Sequence, residues 1–286
     1  MKPLGLIGLG LLGSAMSERF MAAGYSVLGF DSNAERREQF RTAGGVLCDS
    51  ARTVFQNCET VVLSLPNSGI VAEVISGCLD RIQQHLIVDT TTGSPEDARQ
   101  LAAQLEALGA CYLDATVVGS SEQTRQGDVV TLVGGTTEGF AGAKSLLECF
   151  SAQQFHTGAS GTGATAKLIV NLVLGLNRAV LAEALNLAKA CRMDQVSILE
   201  ILRSGAAYSR VMDIKGDKMI SGDFAPQARL DQHWKDVGLI LELSRSANAA
   251  VPLSERHSQL LERASTLGFG QQDNSAIIKA FEHPAE

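Results

Sequence analysis

Leu4-Gly5-Leu6-Ile7-Gly8-Leu9-Gly10-Leu11-Leu12-Gly13 decides how the rest of the chain is read. The apolar run up to Gly8 predicts a buried strand, and the residues after Gly10 predict a helix to about Ala23. Between them stands G-x-G-x-x-G, with Gly8, Gly10 and Gly13 spaced by Leu9, Leu11 and Leu12. In such a turn the first glycine permits a tight bend, the second lets a ligand approach the backbone, and the third lets helix and strand pack closely. Free amides at the helix N-terminus then suit a diphosphate. The pattern is weak by itself in a chain with 28 glycines; its neighbours strengthen it. Residues 25–30 predict a second strand, and Asp31, with Ser32 after it, ends that strand eighteen residues past Gly13. A carboxylate at this place meets the adenosine ribose of a dinucleotide. It favours NAD over NADP, since a 2′-phosphate would face like charge. Arg36 and Arg37 are read as a solvated helix face.

The alternation continues outward from there. Residues 60–65 and 86–89 predict strands, the first ending in the turn Leu65-Pro66-Asn67 and the second in a hydroxyl-rich loop that includes Thr92. Another strand, 111–115, runs into the small, hydroxylated loop Asp114-Ala115-Thr116-Val117-Val118-Gly119-Ser120-Ser121. Residues 129–134 and 152–156 predict two more strands around a helix at 137–150. Strand and helix in this order predict a doubly wound sheet over residues 1–160.

Past Gly161 the period changes to that of helices, and 161–286 is expected to be an all-helical second domain. In Gly161-Thr-Gly-Ala-Thr-Ala-Lys167-Leu-Ile-Val-Asn171 two glycines and a threonine precede a long run of helix formers. A helix from 162–164 to 191, about 42 Å at ~1.5 Å per residue, would join the two domains. Lys167 falls in its first turns and Asn171 one turn later on the same face. A partly buried lysine near the positive end of a helix has its ammonium form disfavoured, which suits a proton acceptor. Further helices are expected at 193–203, 206–220, 230–248 and 253–267, with Lys235-Asp236 in the fourth.

A net charge of −7 with 5% aromatic residues argues against a nucleic-acid partner. Cys48, Cys58, Cys78, Cys111, Cys149 and Cys191 show no C-x-x-C pair and read as reduced residues of a cytoplasmic protein. Neither they nor the five isolated histidines suggest a metal site. Met1-Lys2 before an apolar run mimics a short leader, but Gly5, Gly8, Gly10 and Gly13 count against it. No apolar run reaches the ~18 residues of a membrane span, so no membrane role is expected.

Four motifs in order give the chain its resemblance to the β-hydroxyacid dehydrogenases: Gly8 to Gly13, the loop from Asp114 to Gly127, Gly161 to Asn171, and Lys235-Asp236. The C-terminal Gly270-Gln-Gln-Asp273-Asn-Ser275-Ala276 is similar to that family's ending as well. The resemblance covers nearly the whole chain and implies a Rossmann-type sheet followed by a helical domain. It implies hydride transfer between NAD and a short 3-hydroxy acid or its semialdehyde. Lys167 would move the proton and Asn171 orient the substrate. Leu65, Pro66, Asn67 and Thr92 would line the cofactor, and Lys235 would approach its nicotinamide end. Assembly as a homodimer or homotetramer is also implied. One motif departs from the family's Asp-Ala-Pro-Val-Ser-Gly-Gly, which holds the substrate carboxylate. Here Thr116 replaces the proline, Val117 is kept, Val118 replaces the serine, Gly119 is kept and Ser120 replaces the second glycine. Ser120, Ser121, Gln123 or Thr124 would supply substitute donors, and the expected substrate is therefore not 3-hydroxyisobutyrate. Two alternatives stand beside this reading: an imine reductase-like enzyme, and a dinucleotide-binding protein without catalysis.

Overall fold

Residues 3–282 are described in the computed structural model; the leader-like start at Met1-Lys2 lies outside them. The fold divides into two units, 1–167 and 168–286. In the first, β1 (Leu4–Ile7), α1 (Leu11–Ala22), β2 (Val27–Phe30), α2 (Ala34–Thr42), β3 (Val46–Leu47), α3 (Ala51–Asn57), β4 (Thr60–Leu63) and α4 (Ser68–Ser76) come first. They are followed by β5 (Leu86–Asp89), α5 (Pro95–Glu106), β6 (Cys111–Val118), α6 (Ser121–Gln126), β7 (Val130–Gly134), α7 (Thr137–Leu147) and β8 (Gln153–Gly158). The eight strands form one sheet in the order β3-β2-β1-β4-β5-β6-β7-β8. Every neighbouring pair is parallel except β6 with β7. The order reverses at β1, so the crevice beside its C-terminal end is where ligands of such sheets bind.

The inner strands β1, β4, β5, β6 and β7 are buried on both faces, which is why they read as apolar runs rather than alternating ones. Leu4, Leu6 and Val62 pack to one side with Met16, Phe20 and Phe150. Ile7, Val61 and Leu63 pack to the other with Phe55, Ile75 and Leu105. Burying a large aliphatic or aromatic side chain contributes roughly 1.5–3 kcal/mol, and the two layers together hold the sheet.

Two differences from the expected elements bear on the site. The expected strand at 111–115 extends to Val118, because β7 runs antiparallel and pairs Thr116 with Leu132 and Val118 with Val130. Three β-branched residues in succession favour that pleat. What looked like a loop from Asp114 is therefore strand as far as Val118, and Ser121 already begins a helix. The short elements β3 and α3, which the sequence reading omits, bring Val46 beside Leu28 and cap Ala51–Asn57 with Ser50.

The second unit is helical. α8 (Thr162–Ala190) begins in the first unit and continues into the second, followed by α9 (Gln195–Ser204), α10 (Arg210–Ser221), α11 (Leu230–Ser246) and α12 (Pro252–Ala264). The second-unit core gathers Leu181, Leu185, Leu199, Met219, Leu230, Ile240, Leu261 and Ile277. α10 starts four residues later than expected, beyond Gly205. α12 gives way to a turn in which Gly268 takes φ +93°. Lys167, Arg178 and Glu183 interrupt the apolar residues of α8, so no uninterrupted apolar run there reaches span length. Among the described residues, α8 is long and apolar enough to cross a membrane, with 44% of its most apolar window buried.

Candidate active site

The glycine turn is built as the chemistry requires. Gly8 has φ +97°, and a Cβ there would stand 2.1 Å from the Ser64 carbonyl oxygen. At Gly13 a Cβ would stand 2.0 Å from the Gly8 carbonyl oxygen. The helices after α1 in this sheet are capped by a side chain at their start, from Asn33, Ser50, Asn67, Ser94, Ser120 and Thr136. α1 starts at Gly10 with no side-chain cap. Its first amides are left for an incoming anion, the arrangement a dinucleotide diphosphate fits. Beside it Leu11 is 71% exposed and Leu12 is half-buried.

Asp31 is buried, and its carboxylate accepts from Leu9 N at 2.8 Å and from Asn33 N at 2.8 Å. It therefore braces the glycine turn as well as facing the expected ribose position, and Ser32 after it is exposed. Arg37 is not a solvated face: its Nη1 donates to the carbonyls of Asp31 and Ser32. Arg36 stands half-exposed, its Nη1 3.6 Å from Asp31 Oδ2 and 3.5 Å from where a Gly10 Cβ would lie. At the end of β4, Leu65 N donates to Thr91 Oγ1 at 3.1 Å. Pro66 and Asn67 are exposed, Asn67 capping α4 through Ile70 N. Thr92 lies half-buried in the loop after β5.

Along β6 the pleat sends Asp114 and Thr116 to one face, and both hold the start of α8. Asp114 accepts from Gly161 N and Ala164 N, each at 2.8 Å. The Thr116 hydroxyl donates to the Gly163 carbonyl at 3.1 Å. Burial raises the Asp114 carboxyl above its ordinary value, while the amides of Gly161 and Ala164 oppose that rise. Lys167 is 9% exposed, and its Nζ donates to the Val117 carbonyl at 2.7 Å. The Lys167 nitrogen is thus presented at the head of the loop that the sequence reading assigns to substrate. In that loop Val118 is half-buried and Gly119 has φ +149°. A Cβ at Gly119 would press on Val129 at 2.5 Å. Ser120 caps α6 in a reciprocal pair with Gln123, and Ser121 is half-buried.

In the second unit, Asn171 is 7% exposed and its Nδ2 donates to Asp236 Oδ2 at 3.0 Å. Asp236 Oδ1 lies 3.4 Å from Lys235 Nζ. The dipeptide Lys235-Asp236 thereby fixes the amide of the residue expected to orient substrate. Sequence reasoning missed the role of Asp114, although its spacing of two from Thr116 on a β-branched run carried the signal.

Two family models cover the chain. Residues 3–158 match the NAD binding domain of 6-phosphogluconate dehydrogenase, and residues 161–281 match the NAD-binding domain of NADP-dependent 3-hydroxyisobutyrate dehydrogenase. The chain is 32% identical to 2-(hydroxymethyl)glutarate dehydrogenase of Eubacterium barkeri, over 98% of this chain and 94% of that one. It is 29% identical to L-threonate dehydrogenase of Cupriavidus necator, over 97% and 95% of the two chains. Against 2-hydroxy-3-oxopropionate reductase of Escherichia coli it is 29% identical, over 98% and 97%. Among solved structures, 3-hydroxyisobutyrate dehydrogenase of Mycobacterium tuberculosis superposes with a TM-score of 0.91 at 25% identity, covering 99% of this chain and 100% of that one.

Proposed function

Since the chain belongs to the β-hydroxyacid dehydrogenase family, we propose that it oxidises a short 3-hydroxy acid, or reduces its semialdehyde, with Lys167 moving the proton. The first unit is an NAD-binding domain, and NADP is the cofactor named for the second family model. When bound, the nicotinamide supplies the hydride acceptor or donor. Everything else falls to the chain's own groups. A hydroxyl oxygen that loses hydride from its carbon must also lose its proton, and a buried amine within hydrogen-bond reach takes it. The observation that carries the reading is Lys167 Nζ, held by the Val117 carbonyl at 2.7 Å. That bond uses one N–H and fixes the nitrogen's direction, while the neutral amine keeps a lone pair for the substrate proton. Asn171, its amide held by Asp236, orients the substrate.

The substrate is a 3-hydroxy acid other than 3-hydroxyisobutyrate, because Val118 offers no hydroxyl and Ser120 is committed to capping α6. NAD is preferred over NADP, supported by the buried Asp31 carboxylate. A homodimer or homotetramer is supported by an apolar stripe on α8, where Ile169, Val173, Val180 and Leu187 are exposed at helical spacing. A cytoplasmic setting is supported by cysteines that carry no disulfide among the described residues. The test is a panel of hydroxy acids, aldehydes and cyclic imines scored by NADH absorbance. Oxidation of a 3-hydroxy acid is the expected result. Activity confined to imines, or NAD binding with no turnover of any hydroxy acid, would overturn the reading.

A further inference from the structure

Among the described residues, the second unit holds a buried cation with no partner in contact. Arg178 lies on α8 seven residues past Asn171, which at ~3.6 residues per turn returns it to the same helix face about 10 Å further along. Only 8% of its surface is open. Among the described residues, none of its N–H groups meets an acceptor at hydrogen-bond range, and no carboxylate comes within ion-pairing distance. Its guanidinium falls to about 10, lowered first by burial and supported at longer range by Asp273 and Asp236. Both carboxylates have nearer partners. Asp273 accepts from Lys215 Nζ at 2.8 and 2.9 Å, from the amides of Gln227, Ala228 and Ser275, and from the Ser275 hydroxyl. Asp236 accepts from Asn171 and faces Lys235. A buried charge left this way costs several kcal/mol unless a counter-ion supplies what the protein does not.

A second orphaned polar group lies beside it. His257 on α12 is 2% exposed, and its Nε2 is buried without a partner. Burial, with Arg178 next in effect, lowers its ring to about 4, so the imidazole is neutral near pH 7. Room for these groups comes from Gly175, one turn before Arg178. A Cβ there would stand 2.6 Å from His257 Cε1 and 2.5 Å from His233 Nε2.

We propose that Arg178 and His257 form an anion subsite that takes a second carboxylate of the substrate, the first carboxyl end being the one near the reacting carbon. Arginine's fork matches a carboxylate with two parallel N–H bonds, and the Nε2–H tautomer of His257 adds a third donor. Arg178 stands about 10 Å beyond Asn171 on the same helix face, a separation that suits a dicarboxylate with a few carbons between its ends. This rests on the proposed role of Asn171 as the residue that orients substrate.

The test compares the intact protein with Arg178→Gln, which keeps the stem to Cδ and a polar end but shortens the side chain and removes its charge. Melting temperatures are taken with glutarate, butyrate, chloride and phosphate, each with and without NAD. Glutarate is expected to raise the melting temperature of the parent chain, with butyrate and the inorganic ions doing little. In Arg178→Gln the glutarate shift should vanish, and the unliganded variant should melt no lower than the parent, since it sheds an unpaired buried charge. In turnover, Arg178→Gln should raise KM for dicarboxylic hydroxy acids by roughly ten- to a hundred-fold and leave monocarboxylic ones unchanged. Three results would overturn the proposal: a glutarate shift that survives in the variant, inorganic anions matching glutarate, or an unliganded variant that melts several degrees lower. If no hydroxy acid is turned over yet glutarate still binds through Arg178, the dehydrogenase reading falls and the subsite stands. Turnover without discrimination between the two acid classes has the opposite meaning.

Discussion

Asp89 shows how a single residue ties the sheet to solution conditions. Its carboxyl is pushed up to about 6, first by burial, against the pull of the Thr91 and Tyr112 donors. Tyr112 Oη donates to Asp89 Oδ2 at 2.7 Å and Thr91 N to Oδ1 at 2.9 Å. The folded protein thus holds this proton more tightly than the unfolded chain, whose value is 3.8. The resulting stabilisation is fully present below pH 3.8 and is lost as pH rises through about 6, a swing of about 3 kcal/mol at ~1.4 kcal/mol per unit. Asp89→Asn, neutral at every pH, is expected to flatten that part of the curve. Urea titrations between pH 4 and 7 check it, and an unchanged slope would contradict the assignment. None of this was legible in the sequence, where Asp89 is merely the last residue of a strand; its environment arises from Tyr112 on the neighbouring strand.

The elements explain why Lys167 is where it is. The sequence reading placed it near the positive end of a bare helix, and the structure puts the Asp114 carboxylate on that end. The strand period was visible, but the pairing of β6 with β7 was not, because antiparallel return after six mutually parallel strands depends on the tertiary arrangement. Asp114→Ala removes both caps at the start of α8 and is expected to cost about 1–2 kcal/mol of stability. Turnover should fall further than stability alone explains, since the first turns of α8 carry Lys167. Asp114→Asn, which keeps one acceptor, should lie between the two. Denaturation midpoints together with kcat check this; a stability loss with kcat unchanged would separate the cap from the lysine. Thr116 belongs to the same clamp. At the position of the family's proline it offers a hydroxyl to Gly163, and its complete burial sets its side chain away from solvent.

For the whole molecule, the glycine turn, the change of period near Gly161 and the order of the four motifs made both halves readable. The turn was legible because close approaches at Gly8 and Gly13 leave no alternative to glycine. Arg178, by contrast, reads in sequence as one more helix-face arginine, since nothing local signals that its surroundings leave it without an acceptor. The α8 stripe gives a further expectation: Val180→Glu should shift the assembly toward smaller species in size-exclusion chromatography with the fold retained, because a carboxylate would enter an apolar contact. Unchanged elution would exclude that face. The central claim is that Lys167 moves the proton, and the most direct measurement pairs NAD affinity with single-turnover NADH formation in Lys167→Met. The account predicts NAD binding like the parent's, with hydride transfer reduced by at least about a hundred-fold at saturating substrate. NADH formation at the parental rate in that variant would contradict it.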